Sequence, residues 1–267
     1  MTIFNSVLFG IIEGLTEFVP VSSTAHMLLA QRLLEVPATD AVFAYLVLIQ
    51  LGAIAALLIY FGRDFLALIR ALFSRPGSSA ANRLAWFIVL GTAPALLAGA
   101  LLRDTVQAMF ANPLLEAAIR FFTAAAILGL AEWIGAQSRA LDSMQWPDAL
   151  IIGLFQVLAV FPGASRSGAA IGGAMVRDFD RQGSTRFAFL LSAPVMLAAG
   201  LYEALGAVTD GLVGELLPVL PLGFIVAGVV GWLSIRWLLD YVSRHRLYAF
   251  SAYCAVAGFL CLLLQGA

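Results

Sequence analysis

Six apolar stretches, each about as long as a membrane span, constrain this chain more than any other feature of its sequence. A helix needs about 20 apolar residues to cross the hydrocarbon core of a bilayer. Charged residues make up only 12% of the 267, whereas soluble domains carry about 25%. The sequence therefore predicts an all-α integral membrane protein with a single membrane domain over residues 1–267, and it excludes a soluble enzyme. The predicted spans are 41–61, 84–102, 114–134, 187–208, 219–240 and 247–264.

The net charge of the chain is close to zero. Its value of −1 at pH 7 provides no positive field for a polyanion. We therefore expect no nucleic-acid partner, and the lipid bilayer is the first partner that the composition implies.

Two further apolar regions are interrupted and do not fit the template of a span. Region 3–35 is broken at 20–24, and region 149–176 is broken at 162–167. Each half-run is too short to cross, and non-helical backbone at membrane depth survives only where protein or water covers it. We interpret both regions as re-entrant pairs of half-helices.

The two interrupted regions resemble each other in sequence. Gly10 and Glu13 align with Gly153 and Gln156, and each region is followed by three long spans. The chain thus divides into two halves, about 1–140 and 141–267. Broken segments at matching places in two halves predict a binding site at the interface of the repeats.

Arginine supplies the orientation, because lysine is absent and the basic loops are unevenly distributed. Loops 62–83, 177–186 and 241–246 are rich in arginine, whereas 103–113 has one and 209–218 has none. If both half-helix pairs return to their own side, every arginine-rich loop is cytoplasmic. The first pair then enters from outside and the second from inside, which is an inverted-topology repeat.

Glu13 and Glu17 are the first candidates for chemistry. Their spacing of four places both carboxylates on one helix face, and ionisable groups at membrane depth are functional candidates by default. Two adjacent carboxylates need a shared proton or a cation. Mg²⁺ or Ca²⁺ bound by Glu13 and Glu17 together with substrate phosphates would meet that need.

Hydroxyl groups cluster with a histidine just after the first break. Ser22, Ser23 and Thr24 precede a short apolar run, where they are suited to cap a helix and bind phosphate at its N-terminus. Ser23 lies three residues before His26, so the two are expected to meet across the first turn, with Ser23 as nucleophile and His26 as its base. Ser22 stays open as a rival nucleophile, as does His26 itself.

The second break contains an arginine among small residues. The planar fork of Arg166 matches phosphate oxygens, and Gly163 allows close approach of the backbone. Ser165 and Ser167 add hydroxyl donors. This group, with Ser22 and Thr24, is the predicted substrate-binding set, and the catalytic set is Ser23, His26, Glu17 and Arg166.

The sequence around these residues resembles a known family. EGLTEFVPVSSTAH at 13–26 and PGASRSG at 162–168 resemble the two signatures of the BacA-type undecaprenyl-diphosphatases, and IQLGAI at 49–54 and FAFLLSAP at 187–194 resemble further family segments in the expected order. Ala25 and Ala170 depart from the family pattern, in which glycine and threonine are common.

The resemblance implies a bacterial inner-membrane phosphatase. Its expected reaction converts undecaprenyl diphosphate to undecaprenyl phosphate and inorganic phosphate, recycling the lipid carrier of peptidoglycan synthesis, with a link to bacitracin resistance. It also implies dependence on Mg²⁺ or Ca²⁺. We expect an active site open to the periplasmic or outer face, and a homodimer is left open.

Two other function classes compete with the phosphatase. A transporter or flippase for a prenyl phosphate lipid also fits an inverted repeat with broken helices, but it needs no nucleophile. A purely structural membrane protein leaves Glu13, Glu17 and Arg166 unexplained.

Overall fold

A computed structural model describes residues 1–75, 77–108, 112–159 and 165–265, with the side chains of all of these except 103–108 and 213. Within this part the chain forms twelve α-helices and no β-strand, apart from one isolated bridge between Arg139 and Phe179. Six helices are long and apolar enough to cross a membrane, which confirms the predicted multi-pass, all-α architecture. These six are α3 (Asp40–Tyr60), α5 (Ala80–Ala108), α6 (Pro113–Ile134), α9 (Arg181–Thr209), α11 (Leu220–Arg244) and α12 (Tyr248–Gln265).

Four short apolar or small-residue helices form the two interrupted regions. They are α1 (Ile3–Thr16) and α2 (Ser23–Leu33), then α7 (Trp146–Leu158) and α8 (Arg166–Val176). With 11 to 14 residues each, they extend about 17 to 21 Å at 1.5 Å per residue. That length is well below the roughly 30 Å hydrocarbon core of a bilayer, so none of them spans it alone.

The prediction that 62–83 is a loop is wrong for its first part, which is helical. α4 (Gly62–Leu72) follows α3 directly. Leu66 and Ile69 are exposed, while Arg63 and Arg70 carry charge on the same short helix. The basic residues hid an amphipathic pattern that is typical of a helix lying on a membrane surface. A helical turn, α10 (Val213–Leu216), and a 3₁₀ turn at Leu141–Ser143 complete the elements.

Each first half-helix packs against a long helix from the other half of the chain. α1 lies against α11, and α7 lies against α5. Glycine permits the close approach: a Cβ at Gly14 would lie 2.6 Å from the carbonyl oxygen of Ala227, and one at Gly153 would lie 2.4 Å from that of Gly91. Each first half-helix therefore has one face covered by protein, whereas Ile11 and Leu15 of α1 and Leu154 and Leu158 of α7 are exposed. Broken helices persist at membrane depth where protein covers them in this way.

Ion pairs concentrate at one end of the bundle, where α3, α6 and α11 finish and α5 and α9 begin. We call this end the arginine-rich face. Asp148, at the start of α7, accepts from Arg139 at 2.7 Å and from Arg177 at 2.8 Å. Arg181 pairs with Glu132, and Arg186 pairs with Asp64. The pairs of Asp148 hold the start of α7 to the loops beside it, and the other two pairs join α9 to α6 and to α4.

Asp148 is the carboxylate of that face that pairs with two arginines. Burial opposes its ionisation, but hydrogen bonds from Arg139, the Gln145 backbone and Arg177 outweigh burial and hold the pKa of Asp148 below its usual value. The same bond to Asp148 raises the pKa of Arg139. The pair is therefore charged across the physiological pH range.

Candidate active site

A cavity of about 750 Å³ opens between the two half-helix pairs and the long helices around them. Phe43, early in α3, and Glu203, late in α9, line its wall, so it lies toward the end opposite the arginine-rich face. One side of the wall is apolar, with contributions from α3, α5 and α9. The other side carries the polar residues Glu17, Ser22, Ser23, Thr24, Arg120, Ser165, Arg166 and Ser167.

Glu17 joins the two breaks at the centre of this polar wall. The Ser23 hydroxyl donates to Glu17 Oε2 at 2.5 Å, and Arg166 Nη2 donates to Glu17 Oε1 at 3.0 Å. Glu17 is the C-cap residue directly after α1, whereas Ser23 and Arg166 begin α2 and α8. Three helix ends thus bring a hydroxyl, a carboxylate and a guanidinium from distant parts of the sequence into one chain of contacts. Arg166 also donates to Gln50 Oε1 of α3 at 3.2 Å, which fixes the guanidinium from a second direction.

Ser22 adopts an unusual backbone at the start of α2. Its φ of 68° and ψ of 90° lie in a region that non-glycine residues rarely occupy. It occupies the N-cap position as expected, but its hydroxyl makes no capping bond. Its carbonyl instead accepts from His26 Nδ1 at 2.8 Å. The turn thereby presents the Ser23 hydroxyl to Glu17.

His26 does not contact Ser23 as the spacing predicts. A carbonyl only accepts, so the bond to Ser22 requires the proton on Nδ1. Nε2 then accepts from the Tyr253 hydroxyl at 2.7 Å, and the ring lies edge-on to Phe121 and parallel to Tyr253. The predicted Ser23–His26 bond is therefore wrong in this structure, because the Ser23 hydroxyl donates to Glu17 and both ring nitrogens of His26 have other partners.

The second break supplies a capped helix end to the same cavity. Ser165 accepts from the Gly168 backbone N–H at 3.2 Å and caps α8, and its hydroxyl also lies 3.2 Å from that of Ser167. Both serines and Arg166 line the cavity, as does Thr24 at the start of α2. Gly163 lies outside the described residues, so its predicted part in substrate binding has no structural counterpart here.

The surroundings of Glu13 show whether the predicted cation site fits the structure. It is completely buried one turn before Glu17, and neither of its carboxylate oxygens has a hydrogen-bond donor. The charges of Glu17 and Arg166 both act on it. Among the described residues, no group of three or more His, Cys, Asp or Glu side chains could enclose a metal. Two carboxylates nevertheless fit Mg²⁺, which takes one or two protein carboxylates and fills its remaining positions with water and substrate phosphates.

Three residues of the site were missed by the sequence reasoning. Gln50 lies in a segment quoted for the family resemblance but had no assigned role, and Tyr253 carried no local signal. Arg120 lies within the predicted span 114–134, in its first third, is 8% exposed and lines the cavity. The rule that selected Glu13 and Glu17, an ionisable group at membrane depth, would have selected Arg120 as well.

The chain is similar to one protein family and to several named proteins. The family model described as "Bacitracin resistance protein BacA" matches residues 6–260. The chain belongs to the BacA family. The protein named "Undecaprenyl-diphosphatase 1" from Frankia alni is 38% identical over 278 residues, covering all of this chain and 97% of the relative. The proteins named "Undecaprenyl-diphosphatase" from Anaeromyxobacter dehalogenans and Mycobacterium ulcerans are 38% and 34% identical, covering 100% and 99% of this chain and 93% and 97% of their own lengths.

The BacA match confirms the family resemblance read from the sequence. It extends from within α1 to within α12, and every residue that lines the cavity, from Glu17 to Glu203, lies inside it.

Proposed function

We propose that this protein is a membrane phosphatase that hydrolyses undecaprenyl diphosphate to undecaprenyl phosphate and inorganic phosphate. The observation that carries the proposal is the chain from Ser23 through Glu17 to Arg166 on the wall of one cavity. The relatives named undecaprenyl-diphosphatase, matched over 93–97% of their own length, supply the substrate. The reaction regenerates the lipid carrier on which peptidoglycan synthesis depends, and the family description connects it with bacitracin resistance.

The contacts support a mechanism in two steps. Ser23 Oγ attacks the terminal phosphorus, its proton passes to Glu17 Oε2, and the bridging P–O bond breaks to release undecaprenyl phosphate. Glu17 passes this proton to the departing phosphate oxygen and is again a carboxylate. Water then attacks the phosphoserine and gives one proton to Glu17, the Ser23 Oγ–P bond breaks, Glu17 returns the proton to Ser23 Oγ, and inorganic phosphate leaves. Arg166 and the N–H groups that begin α2 and α8 stabilise the negative charge that develops on the phosphoryl oxygens.

His26 has a different part from the general base that the sequence spacing suggested. Its Nδ1 proton holds the Ser22 carbonyl, and that contact supports the turn from which the Ser23 hydroxyl reaches Glu17. We assign His26 to positioning of the nucleophile. Ser22, Thr24, Ser165 and Ser167 provide hydroxyl groups along the cavity wall for the phosphate oxygens.

A divalent cation, Mg²⁺ or Ca²⁺, held by Glu13 and Glu17 would neutralise diphosphate oxygens when bound. The support for it is the pair of donor-free oxygens on Glu13. Gly163 lies two residues before Ser165 in the sequence. We propose that it lets the backbone approach the diphosphate.

The helix arrangement supports two re-entrant pairs in an inverted repeat, with halves near 1–140 and 141–267. α1 against α11 and α7 against α5 are matching contacts under exchange of the halves. With the arginine-rich face in the cytoplasm, the cavity opens toward the periplasmic side of the bacterial inner membrane. Every group named here comes from one chain, so the mechanism does not depend on a homodimer.

The test is release of inorganic phosphate from undecaprenyl diphosphate by purified protein in detergent micelles. No membrane separates two compartments there, so a transporter would produce no phosphate. We expect multiple turnovers by the wild type and none by Ser23→Ala prepared in the same way. A wild-type protein that binds the lipid but releases no phosphate would favour the transporter alternative.

A further inference from the structure

A second arginine lines the cavity from a different helix. Arg120 lies seven residues after the start of α6, and its side chain is 10% exposed. Its Nε donates to Glu116 Oε1 at 2.7 Å, one turn earlier on the same helix. An arginine at this depth is costly, and such residues in spans usually face a binding cavity or an ion path. Arg120 does face the cavity, and the Glu116 carboxylate fixes the direction of its fork.

The two cavity arginines are close enough for their charges to interact. Guanidinium groups stay charged inside proteins, so the two that line this cavity repel each other. An anion between them converts that repulsion into attraction on both sides. The serines at the starts of α2 and α8 lie on the same wall, and the N-termini of those helices favour negative charge as well. The arrangement therefore fits an anion with two charged centres.

The positions of the two arginines assign a different phosphate of the substrate to each of them. Arg166 contacts Glu17, which accepts from Ser23, so Arg166 serves the phosphate that Ser23 attacks. We propose that Arg120 binds the other phosphate, the one that remains on the prenyl chain, and that it is the residue by which the cavity recognises a lipid phosphate. This inference rests on the proposed phosphatase function and names a binding group for its substrate and its lipid product.

The consequence is a separation of the two products. Undecaprenyl phosphate keeps the phosphate that Arg120 holds, whereas inorganic phosphate derives from the one at Arg166. A charge-assisted hydrogen bond contributes enough that its loss weakens binding about 10- to 100-fold. Loss of Arg120 should therefore weaken binding of undecaprenyl phosphate by that factor and leave inhibition by inorganic phosphate unchanged.

The experiment compares Glu116→Gln with the double variant Glu116→Gln, Arg120→Gln. The two proteins differ only at Arg120, and neither is left with a buried carboxylate that has lost its arginine. Equilibrium binding of undecaprenyl phosphate to purified protein is measured directly, so the result stands whether or not the protein hydrolyses the diphosphate. Arg32→Gln removes an exposed cation at the end of α2 and controls for general loss of positive charge.

We expect the double variant to bind undecaprenyl phosphate about 10- to 100-fold more weakly than Glu116→Gln, with a matching rise in KM for the diphosphate and a smaller change in kcat. Arg32→Gln should bind like the wild type. Equal affinities of Glu116→Gln and the double variant for undecaprenyl phosphate would overturn the assignment. So would a double variant that loses affinity for inorganic phosphate to the same extent, since Arg120 would then serve the transferred phosphate.

Discussion

The two half-helix pairs share a plan but contribute opposite charges. In both, a glycine packs against a long helix from the other half and a buried polar residue follows one turn later: Gly10 and Glu13 in α1, Gly153 and Gln156 in α7. In both, the second helix begins at a serine or next to one. The first pair contributes the carboxylates and the hydroxyl of Ser23, and the second contributes the guanidinium of Arg166.

This difference shows how a repeat becomes a catalytic site. Two copies of the first pair would bring carboxylates together without a cation, and two copies of the second would bring only arginines. The contact from Arg166 to Glu17 at 3.0 Å exists because the halves have diverged in charge while keeping the same break in the helix. Changes that make one pair resemble the other should therefore affect activity and stability in different ways.

The largest effect is expected where the first pair loses its reactive contact. Ser23→Ala and Glu17→Gln should each lower kcat by about a thousandfold or more, because the hydroxyl and its proton acceptor act as one unit. The double variant should be hardly slower than either single variant. Phosphate release measures the rates, and near-additive losses would show that the two residues act independently.

A somewhat smaller loss is expected at the arginine of the second pair. Arg166→Lys keeps the charge but removes the planar guanidinium, whose Nη2 donates to both Glu17 and Gln50 and whose fork of N–H donors matches phosphate oxygens. Loss of one preorganised donor to a developing oxyanion lowers kcat about 100- to 1000-fold, and we expect a fall within that range. Gln50→Leu is the control that removes only the second contact. A wild-type kcat in the lysine variant would contradict this prediction, since a positive charge alone would then be enough.

The exchange Glu13→Gln makes the first pair resemble the second. It removes the donor-free carboxylate of the proposed cation site, and we expect activity to fall at least about 10- to 100-fold, the range that follows loss of a group supporting a metal site. The response to added Mg²⁺ or Ca²⁺ should weaken in parallel. Full wild-type activity in the presence of a strong chelator would instead indicate that Glu13 and Glu17 share a proton.

The reverse exchange, Gln156→Glu, is the matched control. Gln156 is 2% exposed, and neither of its amide atoms has a partner among the described residues. A carboxylate there has no role in the proposed reaction, so it should reduce thermal stability because a charge is buried. Activity per folded molecule should remain that of the wild type, as measured by phosphate release from protein quantified after size exclusion.

The smallest effect on catalysis is expected at the arginine-rich face. Asp148→Asn leaves Arg139 and Arg177 without their shared carboxylate, and since both arginines are partly exposed to solvent the loss should be about 1–3 kcal/mol. The Tm in detergent should fall while kcat stays unchanged. Because the folded protein lowers the pKa of Asp148, its stabilisation is present above the ordinary carboxyl pKa and is lost as the pH falls through the lowered value. The Tm difference between Asn and wild type should therefore narrow on acidification.

Much of the fold could be predicted because the signals for it are local. Apolar length determines a span, so all six long helices were expected, and the polar breaks marked where α1, α2, α7 and α8 end or begin. α4 was missed because its arginines suggested a loop, although its apolar residues share one face. Glu17 was selected because charge at membrane depth is rarely tolerated without a role, and Arg166 because its fork of donors stands at the second break. Both line one cavity in the structure.

The contacts inside the site depend on which of several possible hydrogen-bond partners each side chain takes, and residue spacing does not determine that choice. Ser23 and His26 are three residues apart, which permits a bond between them but does not say which partner each one takes. Tyr253 comes from the last helix, and the backbone of Ser22 turns in a way that no local pattern predicts. Arg120 shows the opposite failure, because its signal was present in the sequence and was not used.

The most direct test of the central claim is a rapid acid quench of wild-type protein mixed with undecaprenyl diphosphate labelled in its terminal phosphate. Attack by Ser23 in a cavity completed by both halves predicts that label appears transiently on the peptide containing Ser23. The label should be absent from the Ser23→Ala protein. It should also be absent from the Arg166→Lys protein, in which the second half-helix pair has lost its guanidinium. Release of labelled phosphate by the wild type in a first-turnover burst, with no label on that peptide and a substantial rate remaining in Ser23→Ala, would contradict the account.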